Sequence, residues 1–137
     1  MRIIGLDYGE KRVGVAIGDT ITRLASPRDV WKRQDDASII GRLQELCHIE
    51  QVSHIVVGVP HPLSDQTRET DQTKTIRGFI TCLRVAGFVV VEENETWSSA
   101  IAARQTREME KKGKRDDLAA AVILQTYLDR NPHAVSP

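Results

Sequence analysis

The sequence predicts an α/β fold: a mixed sheet of five strands flanked by helices. Three patterns lead there. The chain opens on two short apolar runs on either side of Gly9-Glu10-Lys11-Arg12, which read as strands joined by a tight turn. Two later runs, His54-Ile55-Val56-Val57-Gly58-Val59 and Phe88-Val89-Val90-Val91, are continuously apolar, the mark of strands covered on both faces as in a parallel sheet. Between and after them apolar residues recur at helical spacing. The hairpin start makes the sheet mixed, and the alternation of helix and strand makes the class α/β.

Taken in order, the first strand sets Asp7 on one face with Ile3 and Gly5 and turns Ile4, Leu6 and Tyr8 to the other. Leu24 to Trp31 reads as a third strand, and Pro27 suits it to an edge. Asp35 or Asp36 caps a helix that carries Ile39, Ile40, Leu43, Leu46 and Cys47 to about Ile49. After Pro60 and a polar loop, Ile76, Phe79, Ile80 and Leu83 mark a second helix that Gly87 would stop. Strand Phe88–Val91 then gives way to the acidic Glu92-Glu93-Asn94-Glu95. Ser98 or Ser99 caps a helix over 100–110, the basic loop Lys111-Lys112-Gly113-Lys114-Arg115 follows, and Asp116-Asp117 opens a last helix that Asn131-Pro132 ends. One domain over 1–130 and a frayed tail over 131–137 are expected.

Composition excludes several classes. With 40% hydrophobic and 28% charged residues the chain is an ordinary globular protein rather than a disordered one. No apolar run approaches spanning length and no signal-peptide pattern opens it, so no membrane partner and a cytoplasmic location are the defaults. Cys47 and Cys82 are both placed on apolar helix faces, without metal or redox spacing. A formal net charge of zero leaves only local basic patches for nucleic acid.

The chemistry lies in the acids. Asp7 on a mostly buried strand needs a basic partner, a hydrogen-bonding turn or a bound cation. Glu95 follows the last apolar run, and Asp116 or Asp117 sits in the first turn of the last helix. Sites in open α/β sheets form at the carboxyl ends of strands, where Asp7 and Glu95 would converge if their strands were neighbours. Clustered carboxylates repel unless a cation such as Mg²⁺ sits among them, and paired Mg²⁺ ions serve phosphodiester cleavage. Singly, each acid has an ordinary structural role: a turn acceptor, a solvated glutamate, a helix cap.

As a set these residues resemble the YqgF/RuvX family, described as Holliday-junction resolvases or pre-16S rRNA nucleases. Asp7-Tyr8-Gly9 with Arg12, Gly14 and Ala16 resembles its D-x-G-x-x-R-x-G-x-A opening, and Val57-Gly58-Val59-Pro60 its V-G-x-P strand end. Glu95 falls in a segment like D-E-R-x-[ST], and 114–124 is similar to the K-x-D-x-x-A-A-x-x-I-L closing helix. Asn94 and Thr96 replace the Asp and Arg of that third motif, and His61-Pro62-Leu63-Ser64-Asp65-Gln66 replaces the loop after V-G-x-P.

The resemblance implies an RNase H-like fold and an endonuclease dependent on Mg²⁺ or Mn²⁺, with Asp7, Glu95 and Asp116 as catalytic metal ligands. It implies that Arg12, Lys111, Lys112, Lys114 and Arg115 meet phosphates and that Gly9, Gly14, Gly58 and Pro60 are structural. Its substrates are pre-16S rRNA, on or off the ribosomal particle, or branched DNA. Junction cutting would call for a dimer, and no dimer interface is legible, so a monomer or weak homodimer acting on RNA is the expectation. A module that binds nucleotide or nucleic acid without cutting it is the other class.

Overall fold

The hairpin closes on a position that only glycine fills. In a computed structural model, which describes residues 1–60, 71–95 and 116–130, β1 (Arg2–Tyr8) and β2 (Arg12–Asp19) pair antiparallel from Arg2↔Asp19 to Tyr8↔Val13. The Gly9 amide donates to the Arg12 carbonyl at 2.9 Å. A Cβ on Gly9 would stand 2.7 Å from that same oxygen, closer than atoms approach.

β3 (Leu24–Lys32) pairs with β2 at one edge, where Pro27 suits it, and a register shift between Val15 and Ala16 leaves Arg28 as the extra residue of a bulge. β4 (Val52–Pro60) runs parallel to β1, and β5 (Val90–Glu95) parallel to β4, giving the order β3-β2-β1-β4-β5.

Among the described residues, three helices cover the sheet. α1 (Asp36–Glu50) begins at Asp35, whose carboxylate accepts the Ser38 amide at 2.7 Å, and that bond holds the Asp35 carboxyl below its ordinary value. α2 (Asp71–Val85) stops as Gly87 predicts. Gly87 takes φ +103°, its amide donates to the Arg84 carbonyl at 3.0 Å, and the Phe88 amide donates to the Leu83 carbonyl at 3.1 Å. That pair of bonds is a Schellman cap. α3 (Asp116–Arg130) is the last described element.

Two sequence expectations are corrected. The final strand is not Phe88–Val91 covered on both faces. Gly87 and Phe88 are consumed by the helix cap, the strand starts at Val90 and takes in the acids to Glu95, and Val89 is 63% exposed. Cys82 is exposed rather than apolar-facing, because the buried stripe of α2 runs through Thr73, Ile76, Phe79, Ile80 and Leu83 and position 82 turns away from it. The helix expected over 100–110 and the tail over 131–137 lie outside the described residues.

The alternation read in β1 holds. Ile4, Leu6 and Tyr8 join α1 and α2 in one core, with Val57 and Val59. Ile3 and Val56 meet α3 on the opposite face. There the approach is close: a Cβ on Gly5 would lie 2.7 Å from Leu124 Cβ and 3.0 Å from the Ala120 carbonyl, and one on Gly18 3.0 Å from Leu124 Cδ2. Gln125 fixes the far end of α3, accepting the Ala25 amide and donating to the Arg23 carbonyl, both at 2.9 Å. The helix therefore enters over the Asp7 end of β1 and leaves over the Arg2 end.

Overpacking at such a contact costs about 1–3 kcal/mol. Gly5→Ala is expected to lower the unfolding free energy by that much in urea, although alanine is the better strand residue; an unchanged midpoint would mean α3 is not held where described.

Candidate active site

Asp7 is the penultimate residue of β1 and only 6% exposed. Its register partner on β2 is Gly14, and the β1–β4 register, which reaches Leu6↔Val57, brings Gly58 next on the other side. The carboxylate thus stands between two residues without side chains. Gly14 and Gly58 are the reason a buried acid has room at the centre of a sheet. Arg12 is two residues from Gly14 on β2, so alternation places it on the Asp7 face, exposed near the hairpin tip.

Gly58 pairs in turn with Glu93, and Pro60 with Glu95. β1 and β5 are therefore not neighbours: β4 lies between them, and at ordinary strand spacing the two backbones are about 10 Å apart. Asp7 and the end of β5 still share one end of the sheet. Asp116 opens α3 one turn before Ala120, whose carbonyl stands over Gly5, so the helix begins at that same end. The side chains of Glu95 and Asp116, and all of Lys111, Lys112, Lys114 and Arg115, lie outside the described residues, as do His61 and Trp97.

Sequence reasoning missed Glu93. It is 6% exposed, and its Oε2 accepts from Arg130 Nη1 at 2.8 Å. Burial pushes its carboxyl above the ordinary carboxylate range, and Arg130 opposes that rise. The available signal was alternation along Val91, Glu93 and Glu95, which an acidic-loop reading hid. At the opposite end of β4, His54 Nε2 lies 3.3 Å from the Tyr127 hydroxyl, and burial holds the imidazole below its usual value.

The donors fit a hard cation. Asp7 offers buried carboxylate oxygen at the strand end, and oxygen is what Mg²⁺ and Mn²⁺ select. Among the described residues no three ligating side chains stand together, so Asp7 alone of the three proposed ligands can be placed in full.

Compared with known proteins, residues 1–130 match the family model described as "RuvX: Holliday junction resolvase". The chain belongs to the RuvX family. Among RuvX relatives, a Fusobacterium nucleatum protein named "Putative pre-16S rRNA nuclease" is 35% identical over 136 residues, covering 93% of this chain and 96% of that one. A Bordetella pertussis protein of the same name is 35% identical over 127 residues, covering 93% and 92%. In fold, this RuvX chain is similar to Thermus thermophilus RuvC in complex with a Holliday junction (TM-score 0.57, 15% identity, 97% and 96% covered). The fowlpox virus Holliday junction resolvase is comparable (TM-score 0.56, 18% identity, 95% and 99% covered). The RNase H-like fold expected of a RuvX protein is the one observed.

Because burial raises the Glu93 carboxyl, its ionisation opposes folding: the protonated form adds stability below the ordinary carboxylate value, and that contribution is lost as pH rises through the raised one. Arg130→Gln strands the ionised form. It is expected to cost about 1–3 kcal/mol at pH 8, the range for a buried group losing its partner, and much less near pH 4; urea unfolding across pH reads this, and a pH-independent cost would remove the ion pair from the account.

Proposed function

We propose that this chain is an endonuclease that hydrolyses phosphodiester bonds in RNA, trimming the 5′ end of pre-16S rRNA. The observation that supports it most directly is Asp7: a buried carboxylate at the carboxyl end of the central strand, flanked by Gly14, at the end of the sheet where α3 begins. The relatives that share about a third of its residues carry the pre-16S rRNA name.

In this reading Asp7, Glu95 and Asp116 hold Mg²⁺ or Mn²⁺, which when bound supplies an activated water and neutralises charge on the departing oxygen. Asp7 serves as ligand from a rigid strand rather than a loop, so its oxygens stay in place between turnovers. The side-chain-free flanks at Gly14 and Gly58 let a backbone phosphate come down to the acid. Arg12, on the same face, takes a phosphate oxygen with its planar fork. Lys111, Lys112, Lys114 and Arg115, next before Asp116 in the chain, contact further phosphates of the strand. Arg130 cancels the charge of Glu93, so that acid does not add to the repulsion of phosphate.

Cutting of four-way DNA junctions is the second reading, carried by the family description and by the likeness to RuvC, which concerns fold alone. A two-fold symmetric junction calls for paired sites in a dimer, whereas RNA trimming needs one. The test offers purified protein a pre-16S RNA fragment and a four-way junction in parallel, with and without Mg²⁺. RNA cutting is expected to vanish with EDTA and to fall at least about a hundredfold in Asp7→Asn, since a lost metal ligand removes several kcal/mol of transition-state stabilisation; full activity in a folded Asp7→Asn protein would end the assignment.

A further inference from the structure

On the sheet face away from Asp7, but at the same end, a groove of about 540 Å³ runs between the hairpin tip, the segment after β3 and the start of α2. That is the size range of small-molecule sites. Its lining includes Tyr8, Glu10, Arg33, Asp71, Gln72 and Thr75. It begins at the residue following Asp7.

One wall of the groove is built from two stacked rings and a cation. The Phe79 and Tyr8 rings lie 4.1 Å apart at 16°. The Arg33 guanidinium lies 4.3 Å from the Tyr8 centroid. Two planar groups so near one ring must occupy its opposite faces, so the order is Phe79, Tyr8, Arg33. The stack is clamped in place: Tyr8 donates its hydroxyl to Asp36 Oδ1 at 2.6 Å, and Arg33 Nη1 donates to the Gly9 and Glu10 carbonyls at 3.1 and 3.3 Å. Among the described residues Arg33 meets no carboxylate, and it is half-buried. The guanidinium, anchored by backbone carbonyls and with an aromatic ring behind it, lines the groove and can be stacked upon.

The other lining groups decide what that plane stacks. Glu10 and Asp71 are acids, which disfavour a phosphate; Gln72 and Thr75 are neutral hydrogen-bonding groups. Carboxylates and an amide around a cationic plane suit a nucleobase, stacked on arginine and read at its edge. Guanine alone among the RNA bases offers two adjacent donors, N1–H and the N2 amine, that a single carboxylate can accept together.

We propose that this groove is a base-binding subsite, in which one unpaired base of the RNA strand passing Asp7, guanine by preference, stacks on Arg33 and bonds to Glu10 or Asp71. The proposal rests on the RNA-cutting reading for the identity of the strand. Its test is binding, with cutting measured separately.

In the Asp7→Asn background, single-stranded RNA oligomers that differ only in one central base are titrated by fluorescence anisotropy against protein carrying Arg33, Arg33→Ala or Arg33→Lys. The guanine oligomer is expected to bind tightest. Arg33→Ala should weaken it roughly tenfold, as loss of one stacked base does, and level the preference; Arg33→Lys, with charge but no plane, should not restore it. Equal affinity for all four bases in the parent, or a uniform loss that Arg33→Lys repairs, would overturn the subsite. Should Arg33→Ala unfold, Glu10→Gln combined with Asp71→Asn, both at exposed positions, takes its place: a lost guanine preference supports the subsite and a retained one overturns it. Cutting by the unsubstituted chain without base preference would sink the subsite alone, and base preference without cutting would sink the nuclease reading alone.

Discussion

The closeness of α3 to Gly5 and Gly18 governs most of what this protein can be. The helix lies close against the strands because neither glycine has a Cβ, so that Leu124 and the Ala120 carbonyl come down on Gly5 and Leu124 on Gly18. That approach buries the second face of the sheet and fixes the helix axis relative to β1. With Gln125 tied to β3 at the other end, the first turn of α3 has little freedom over the Asp7 end of the sheet. The place of the helix start therefore follows from packing: a glycine on a strand sets where a helix begins.

The end of the sheet is also an electrostatic arrangement. Asp7 and Glu93 are two buried acids on strands flanking β4, and each is accommodated differently. Glu93 is answered by Arg130, which reaches it from the last turn of α3. Asp7 is given space by the glycines beside it. In both cases the neighbours, rather than the carboxyl itself, decide how the charge is accommodated.

Local rules were enough for much of this. Alternation gave the two faces of β1, Gly9 its turn, Pro27 the edge, and Gly87 the end of α2, because each depends on residues within a few positions. The failures are nonlocal. Val89 looked like core, yet the Schellman cap at Gly87 and Phe88 shifts the strand onward and leaves it in solvent. Glu93 looked like one of a solvated acidic run, and its burial depends on a cation 37 residues away. The Phe79–Tyr8–Arg33 stack draws on α2, β1 and the segment after β3, and no spacing in the sequence announces it. Asp7 was legible as a candidate site residue because a charge in an apolar strand is anomalous on its own terms. Asp116 and Asp117 were not separable, since either can open a helix.

α3 also fixes an order of events. Its contacts join positions about a hundred residues apart, as when Arg23 donates to the Leu128 carbonyl, so they are among the slowest to close, and the helix is made only after every strand it covers. Until the ribosome has delivered that helix, one face of the sheet stays bare. A nascent chain of this kind holds an unfinished sheet, with Ile3 and Val56 uncovered, until its last described helix has been made.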